Sequence, residues 1–381
     1  MSDPLKIALI GPVHPYRGGI AHYTAMLAKT LARENTVRVI SFRWMYPGFL
    51  YPGGSSLDPS ESPLLTEAVY LLDPVNPISW WRTAQWITEW APDVVVFQWW
   101  VTFWAPAFMG VSWVLKRRGF RILFLIHNVL PHEERPWDRL LVRSTLRMGD
   151  RFITHTPRER ERLLELVPNA NASIHPHPVY DMFSHNRLSS SAAKQDLGLS
   201  LDRKVLLFFG FVRPYKGLKV ALEALAILRD RGQSVHLLVA GEFWEDKAVY
   251  TRLIEQLELS ALVSMDDRYI PNEDVARYFS AADAVIAPFT GGTQSGSATI
   301  ALSFGLPLVV TDRIAEGISS SADNLIVIPV GDPAALADAV EALFHRSPDS
   351  TKKHENTNED WTSIARLISG AAKIVSSEVV R

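Results

Sequence analysis

The sequence predicts an α/β protein built from two consecutive Rossmann-like, doubly wound domains. Three observations carry this. Short, continuous apolar blocks recur along the chain, separated by helical patterns, as in parallel sheets buried on both faces. The same grammar restarts after a proline- and serine-rich stretch near the middle. The length of 381 residues exceeds what one ordinary core holds.

The first apolar block is Lys6–Ile10, ending in Gly11-Pro12, and a loop then leads to Gly18-Gly19. Ile20, Tyr23, Leu27 and Leu31 follow at three- and four-residue spacing and predict a helix. Val37–Phe42, Asp93–Trp99 and Arg121–Ile126 are the next strand blocks. A boundary is expected near His175-Pro176-His177-Pro178, continuing through Arg187–Ser191, a stretch of linker composition. The N-terminal domain is therefore placed at about 1–185 and the C-terminal one at about 200–345. In the latter, Val205–Phe209 opens the sheet and Gly210–Gly217 forms a loop. Leu218, Ala221, Leu222, Leu225 and Leu228 then line one helical face. Val235–Ala240, Ala284–Pro288, Leu308–Thr311 and Leu325–Pro329 supply further strands. Residues 346–358 are polar and charged and read as an exposed loop, and Trp361–Val375 as a final helix. That terminal helix, about 359–381, is expected to pack back onto the first domain.

Composition narrows the function classes. Hydrophobic residues make up 47% and charged ones 21%, a soluble globular profile. A formal net charge of −2 gives no basic surface for nucleic acid. The absence of cysteine excludes disulfides and thiolate metal sites, and no HExxH-like spacing suggests a metal. No signal pattern precedes the first strand, which makes a cytoplasmic location the default. From Val94 to Leu115 the chain carries no charge and could span a bilayer by length. Gln98, Thr102, Ser112 and Pro106 interrupt it, so it reads instead as a buried strand followed by an apolar helix.

In open parallel sheets, ligands bind beyond the carboxyl ends of the strands. Four strand-end segments are therefore candidates. In the first, Tyr16–Ile20, Gly18 and Gly19 admit close backbone approach at a helix start, where N–H groups meet anions. In the second, Gly210–Gly217, Arg213 and Lys216 are two cations able to converge on a diphosphate. The third runs through Thr293, Gln294, Ser295, Gly296 and Ser297, small residues whose amides and hydroxyls suit phosphate or sugar. The fourth places His127 at a strand's carboxyl end, with His132 and Glu133 as weaker candidates. Each has a plain structural reading too: a flexible turn, solvated cations, an N-capped helix and a hydrogen-bonded core histidine.

Taken together, these segments resemble glycosyltransferase family 4, of GT-B fold. The resemblance rests on YRGGI at 16–20, IHNVLPHE at 126–133 and HPHPVYD at 175–181. It continues through FFGFVRPYKG at 208–217, AGEFWED at 240–246, RYIPNEDVARYFSAADAVIAPF at 268–289 and TQSGSATIALSFGLPLVVT at 293–311. It implies two domains facing across a cleft and transfer of a sugar from a nucleoside-diphosphate sugar, with retention of configuration. No metal or other cofactor would be required. The donor would lie on the C-terminal domain and a glycan or lipid-linked acceptor on the N-terminal one. Arg213 and Lys216 would serve the diphosphate, and His127 the transferred sugar. Gly18 and Gly19 would pack near the reacting phosphate. Glu242 and Ile270 would lie near the nucleoside, with Ile270 against the base.

Two departures stand out. The family's two glutamates, which flank seven residues, fall on Gly292 and Ile300. Its arginine after the loop's first glycine is Phe211, with Arg213 two places on as the substitute. Both features resemble a TQSG-type subgroup. They also leave open a non-catalytic, nucleotide-binding or scaffolding relative. Trp80, Trp81, Trp86, Trp90, Trp99, Trp100, Trp104 and Trp113 crowd the N-terminal half. Core packing accounts for most of them. The surplus predicts peripheral membrane contact at the inner face and a lipid-linked or polysaccharide-precursor acceptor.

Overall fold

The computed structural model describes residues 4–47, 53–131, 134–318, 324–345 and 357–374. His132, Glu133 and the polar stretch 346–356 lie outside these. The chain divides into two compact units. Unit 1 comprises Met1–Asp58, Pro63–Pro176 and Asn358–Arg381, and unit 2 comprises Pro59–Ser62 and His177–Thr357.

Unit 1 holds strands β1 (Lys6–Ile10), β2 (Thr36–Phe42), β3 (Ala68–Leu72), β4 (Val94–Trp99), β5 (Ile122–Ile126), β6 (Arg151–Thr154) and β7 (Ala172–Ile174). They form one sheet in the order β3-β2-β1-β4-β5-β6-β7, every neighbour parallel. The order reverses between β1 and β4. Residues of β4 and β5 are buried throughout, as continuous apolar runs require. The long uncharged run resolves into β4 and the 13-residue helix Ala105–Arg117. Among the described residues, no helix is long and apolar enough to cross a membrane. Phe42 and Trp104 stack at 4.0 Å in the core beside Phe108. Trp99 and Trp104 are fully buried, and Trp80, Trp86, Trp90 and Trp100 pack against the same core. Trp81 and Trp113 remain 54% and 48% exposed.

The terminal helix Thr357–Ile374 belongs to unit 1. Arg121 Nη1 donates to Ala372 O at 3.0 Å, and the rings of Trp361 and Tyr23 lie 5.0 Å apart.

Unit 2 holds β8 (Lys204–Phe209), β9 (Val235–Ala240), β10 (Val263–Asp266), β11 (Ala284–Ala287), β12 (Leu308–Thr311) and β13 (Leu325–Ile328). Their order is β10-β9-β8-β11-β12-β13, again all parallel, with the reversal between β8 and β11. The amphipathic helix Leu218–Asp230 buries Leu218, Leu222, Leu225 and Leu228 against this sheet.

The passage between units falls between Pro176 and His177. The Arg187–Ser191 stretch is exposed but hydrogen-bonded within unit 2. Arg187 Nη1 donates to Phe304 O, Leu188 N to Ser280 Oγ, and Ser189 caps the helix Ser190–Asp196. Its serines are there for capping. The short segment Pro59–Ser62 also joins unit 2, where Asn272 N donates to Ser60 Oγ at 2.9 Å.

Candidate active site

The strand order of unit 2 reverses between β8 and β11, and the loops after these two strands stand where doubly wound sheets bind ligands. The loop after β8 carries Arg213 and Lys216, on either side of a single 3-10 turn, Pro214–Lys216. The loop after β11 carries Thr293–Ser297. The two are locked together. Tyr215 O accepts the backbone N–H of Thr290 at 2.7 Å and of Gly291 at 3.3 Å, plus the Thr290 hydroxyl at 3.2 Å. Gly217, at φ +77°, backs onto Pro288, where a β-carbon would stand 2.0 Å from the Pro288 oxygen. Gly241, at φ +147°, backs onto Gly210 in the same way, 2.2 Å from its oxygen. Only glycine fits at either position.

Lys216 Nζ sits over Gly210 and 5.4 Å from the Phe289 ring centroid. Burial, and then the charge of Arg213, lower its pKa to about 8. A cation held so close to its neutral form gains most from an anion. The Arg213 guanidinium lies 5.4 Å from the Tyr215 ring and 5.6 Å from the Trp244 ring.

In the second loop, Ser295 caps the helix Gly296–Ser303 by accepting from Ala298 N, and its Oγ meets Ser297 Oγ at 2.9 Å. Nothing stands within 4 Å of a β-carbon built on Gly296, so the helix start is open. Thr293 is 2% exposed and its hydroxyl has no hydrogen-bond partner among the described residues. Gln294 is half-buried beside it.

Glu242, just past β9, accepts from Trp244 Nε1 at 3.1 Å. Ile270 is buried, whereas Tyr269 next to it is half-buried and 6.0 Å from the Phe211 ring. Phe211 in turn stacks on Trp244 at 4.3 Å and 30°. A row of rings therefore flanks this side of the basic loop. Sequence reasoning singled out neither Trp244 nor this row. Three aromatics in three separate strand-end loops were the available signal.

In unit 1, Gly18 has φ +106° and caps the helix Gly19–Leu31, and nothing lies within 4 Å of a β-carbon on Gly18 or Gly19. His127 directly follows β5, its N–H donating to Trp99 O at 2.8 Å. Its ring is 2% exposed, with Nε2 2.5 Å from Gln98 Oε1 and the Tyr23 ring edge-on at 4.6 Å. His155, fully buried, lies 5.2 Å away and donates Nδ1–H to His175 O. Gln98 was missed as a site residue. A glutamine inside a fully buried strand needs a partner, and that was its signal. Structure thus brings Arg213, Lys216 and the Thr293–Ser297 loop together within unit 2. His127 is a buried group in a Gln98–Tyr23–His155 cluster of unit 1.

Family models cover most of the chain. Residues 17–180 match Glycosyltransferase Family 4, and residues 203–346 match Glycosyl transferases group 1. A GDP-mannose:glycolipid 4-beta-D-mannosyltransferase of Xanthomonas campestris is 27% identical over 197 residues, 51% of each chain. A D-inositol 3-phosphate glycosyltransferase of Corynebacterium glutamicum is 26% identical over 246 residues, 62% of this chain and 54% of that one. The chain spans about half the length of the curated relatives it matches. Among solved structures, sucrose-phosphate synthase of Thermosynechococcus elongatus superposes with a TM-score of 0.70 at 16% identity, covering 98% of this chain and 100% of that one. An Anabaena protein, HepE, in complex with UDP gives 0.68 at 15%, covering 99% of each. These likenesses establish the overall fold.

Proposed function

Because the chain belongs to glycosyltransferase family 4, with the GT-B fold, we propose that it is a retaining enzyme. It moves a sugar from a nucleoside-diphosphate sugar to a glycan or lipid-linked acceptor. One observation carries this reading. Arg213 and Lys216 stand in a loop tied through Tyr215 to the Thr293–Ser297 loop, at the point where the strand order of unit 2 reverses.

In this reaction the bond between the anomeric carbon and the diphosphate oxygen breaks. The acceptor hydroxyl forms the new bond on the same face, and its proton passes to the departing phosphate oxygen. The chief task is to stabilise negative charge growing on the diphosphate, the kind of term that usually dominates. Arg213 and Lys216 supply the opposing positive charge, so the chemistry needs no metal or other cofactor. The open N–H groups at Gly296 and Ser297 and the hydroxyls of Thr293 and Ser295 complete the cradle, with Gln294 at its edge. Glu242 and Ile270 serve the nucleoside, with Tyr269 the more accessible of the two residues at 269–270. With Gly292 and Ile300 in place of the family's glutamates, Glu242 is the carboxylate left to bond the ribose.

Gly18 and Gly19 leave room for close approach at a helix start, and His127 acts on the sugar. At 2% exposure, its ring is a fixed hydrogen-bonding wall, not a proton shuttle to bulk water. Xanthomonas campestris and Corynebacterium glutamicum relatives, named for a glycolipid and an inositol phosphate acceptor, support transfer to a lipid-linked or polyol-phosphate group. Exposed Trp81 and Trp113 support peripheral contact with the membrane that carries such an acceptor.

The test is to incubate the protein, with and without a chelator, with a panel of nucleotide sugars and glycan or glycolipid acceptors. The anomeric configuration of product is then read by NMR. Retained configuration unaffected by chelator supports the reading. Neither transfer nor donor hydrolysis with any pair leaves a non-catalytic, nucleotide-binding relative, the outcome that the absent glutamates would favour.

A further inference from the structure

We propose that Trp244 is a positioning residue of the donor site, holding Arg213 in place for the diphosphate. The proposal rests on the reading of this loop as a diphosphate site. Trp244 stands where two groups of that loop, Phe211 and Arg213, meet Glu242 of the loop after β9. One face of its indole stacks on Phe211 at 4.3 Å and 30°, and the Arg213 guanidinium lies 5.6 Å from its ring centroid. Its Nε1–H donates to Glu242 Oε2 at 3.1 Å. The backbone repeats the tie: Trp244 N donates to Val212 O at 3.0 Å and Val212 N to Glu242 O at 2.9 Å. These two bonds stitch the loop after β8 to the loop after β9 on both sides of an isolated parallel bridge, Val212 to Phe243.

The physical reason is side-chain freedom. An arginine has many rotamers, and converging on one anion requires most of them to be given up. Tyr215 and Trp244 each lie within 6 Å of the guanidinium, and aromatic faces attract it while leaving its N–H groups available to oxygen. Tyr215 is fixed through its carbonyl to the Thr290 loop. Trp244 is fixed through Phe211 and Glu242. Phe211 is thereby the packing surface that orients the indole. The aromatic row is the support for the Arg213 guanidinium.

The experiment measures calorimetric affinity for UDP, GDP and ADP in the wild type, W244F, W244L, R213A and the W244L/R213A double variant. W244L keeps apolar bulk without a π face, and circular dichroism confirms that each variant is folded. W244L is expected to weaken the best-binding diphosphate about fivefold, the size of one cation–π contact, while W244F stays within about twofold of wild type. On the R213A background, W244L should change affinity by less than about twofold, because its effect runs through Arg213. The same fold loss on both backgrounds, or wild-type affinity in W244L, overturns the positioning role while leaving the diphosphate site in place. Wild-type protein that binds none of the three overturns that site, and the proposal with it.

Discussion

The Lys216 ammonium nitrogen lies 3.1 Å from the point where a β-carbon on Gly210 would stand. The lysine therefore occupies space that any larger residue at position 210 would contest. Burial and the neighbouring Arg213 hold its pKa at about 8. A bound diphosphate stabilises the charged form, so binding takes up a proton wherever free Lys216 is neutral. Affinity for a nucleoside diphosphate is then flat below about pH 8 and falls above it, by at most about tenfold per pH unit. Lys216→Arg, whose charge persists, should lose this decline. Calorimetric titration across that range checks both curves.

Gly217 sets the spacing of the two loops. Its replacement by alanine combines a positive φ with a β-carbon 2.0 Å from Pro288 O. Destabilisation of about 3 kcal/mol is expected, at the upper end for strained backbone. Gly232, also at positive φ (+73°) but in open space, is the internal control and should cost about 1 kcal/mol. Denaturant unfolding of both variants measures the difference.

Gln98 presents Oε1 to the His127 ring, both groups buried. Gln98→Leu leaves a buried ring nitrogen without that partner and should cost about 1–3 kcal/mol. On the proposed reading, in which unit 2 binds the donor diphosphate, turnover should fall more than donor affinity does. Unfolding curves and a kcat-against-KM comparison read the two effects separately.

The buried pair Lys194–Asp283 is structural. Burial alone would raise the Asp283 carboxyl. Hydrogen bonds from Lys194 and from Val205 N, with Lys204 nearby, outweigh it and hold the group below its ordinary value of 3.8. A depressed carboxyl contributes stability that is complete above the unfolded pKa and lost as pH falls through the folded one. Lys194→Met should destabilise by about 3 kcal/mol near neutral pH, and the further loss on acidification should be smaller than in the wild type, because the carboxyl is held less far below its unfolded value. Urea unfolding at several acidic pH values follows that limb.

The parallel strands at the centre of each sheet were legible because burial on both faces leaves an unbroken apolar run, as in Val94–Trp99. Ala68–Leu72, Ala172–Ile174 and Val263–Asp266 were not. They are sheet-edge strands of three to five residues whose burial is partial; Ala172–Ile174 and Val263–Asp266 carry no such run, whereas Ala68–Leu72 does, as AVYLL, without full burial. Arg151–Thr154 escaped because polar residues at both ends leave only Phe152 and Ile153 as an apolar run. Serines at 189–191 imitated a linker because capping and flexible segments use the same residues. In the site, Arg213 and Lys216 could be read from position in a strand-end loop. Trp244 and Gln98 could not, because their roles depend on loops and strands that meet only in the folded chain.

The central claim is that the basic loop of unit 2 grips a diphosphate. Its most direct test is the unfolding free energy with nucleoside diphosphate at about a hundred times its dissociation constant, in wild type and in the Arg213→Ala/Lys216→Ala variant. The wild type should gain about 2.7 kcal/mol and the double variant, at the same ligand concentration, almost nothing. Equal gains in both proteins, or none in the wild type, would contradict the account.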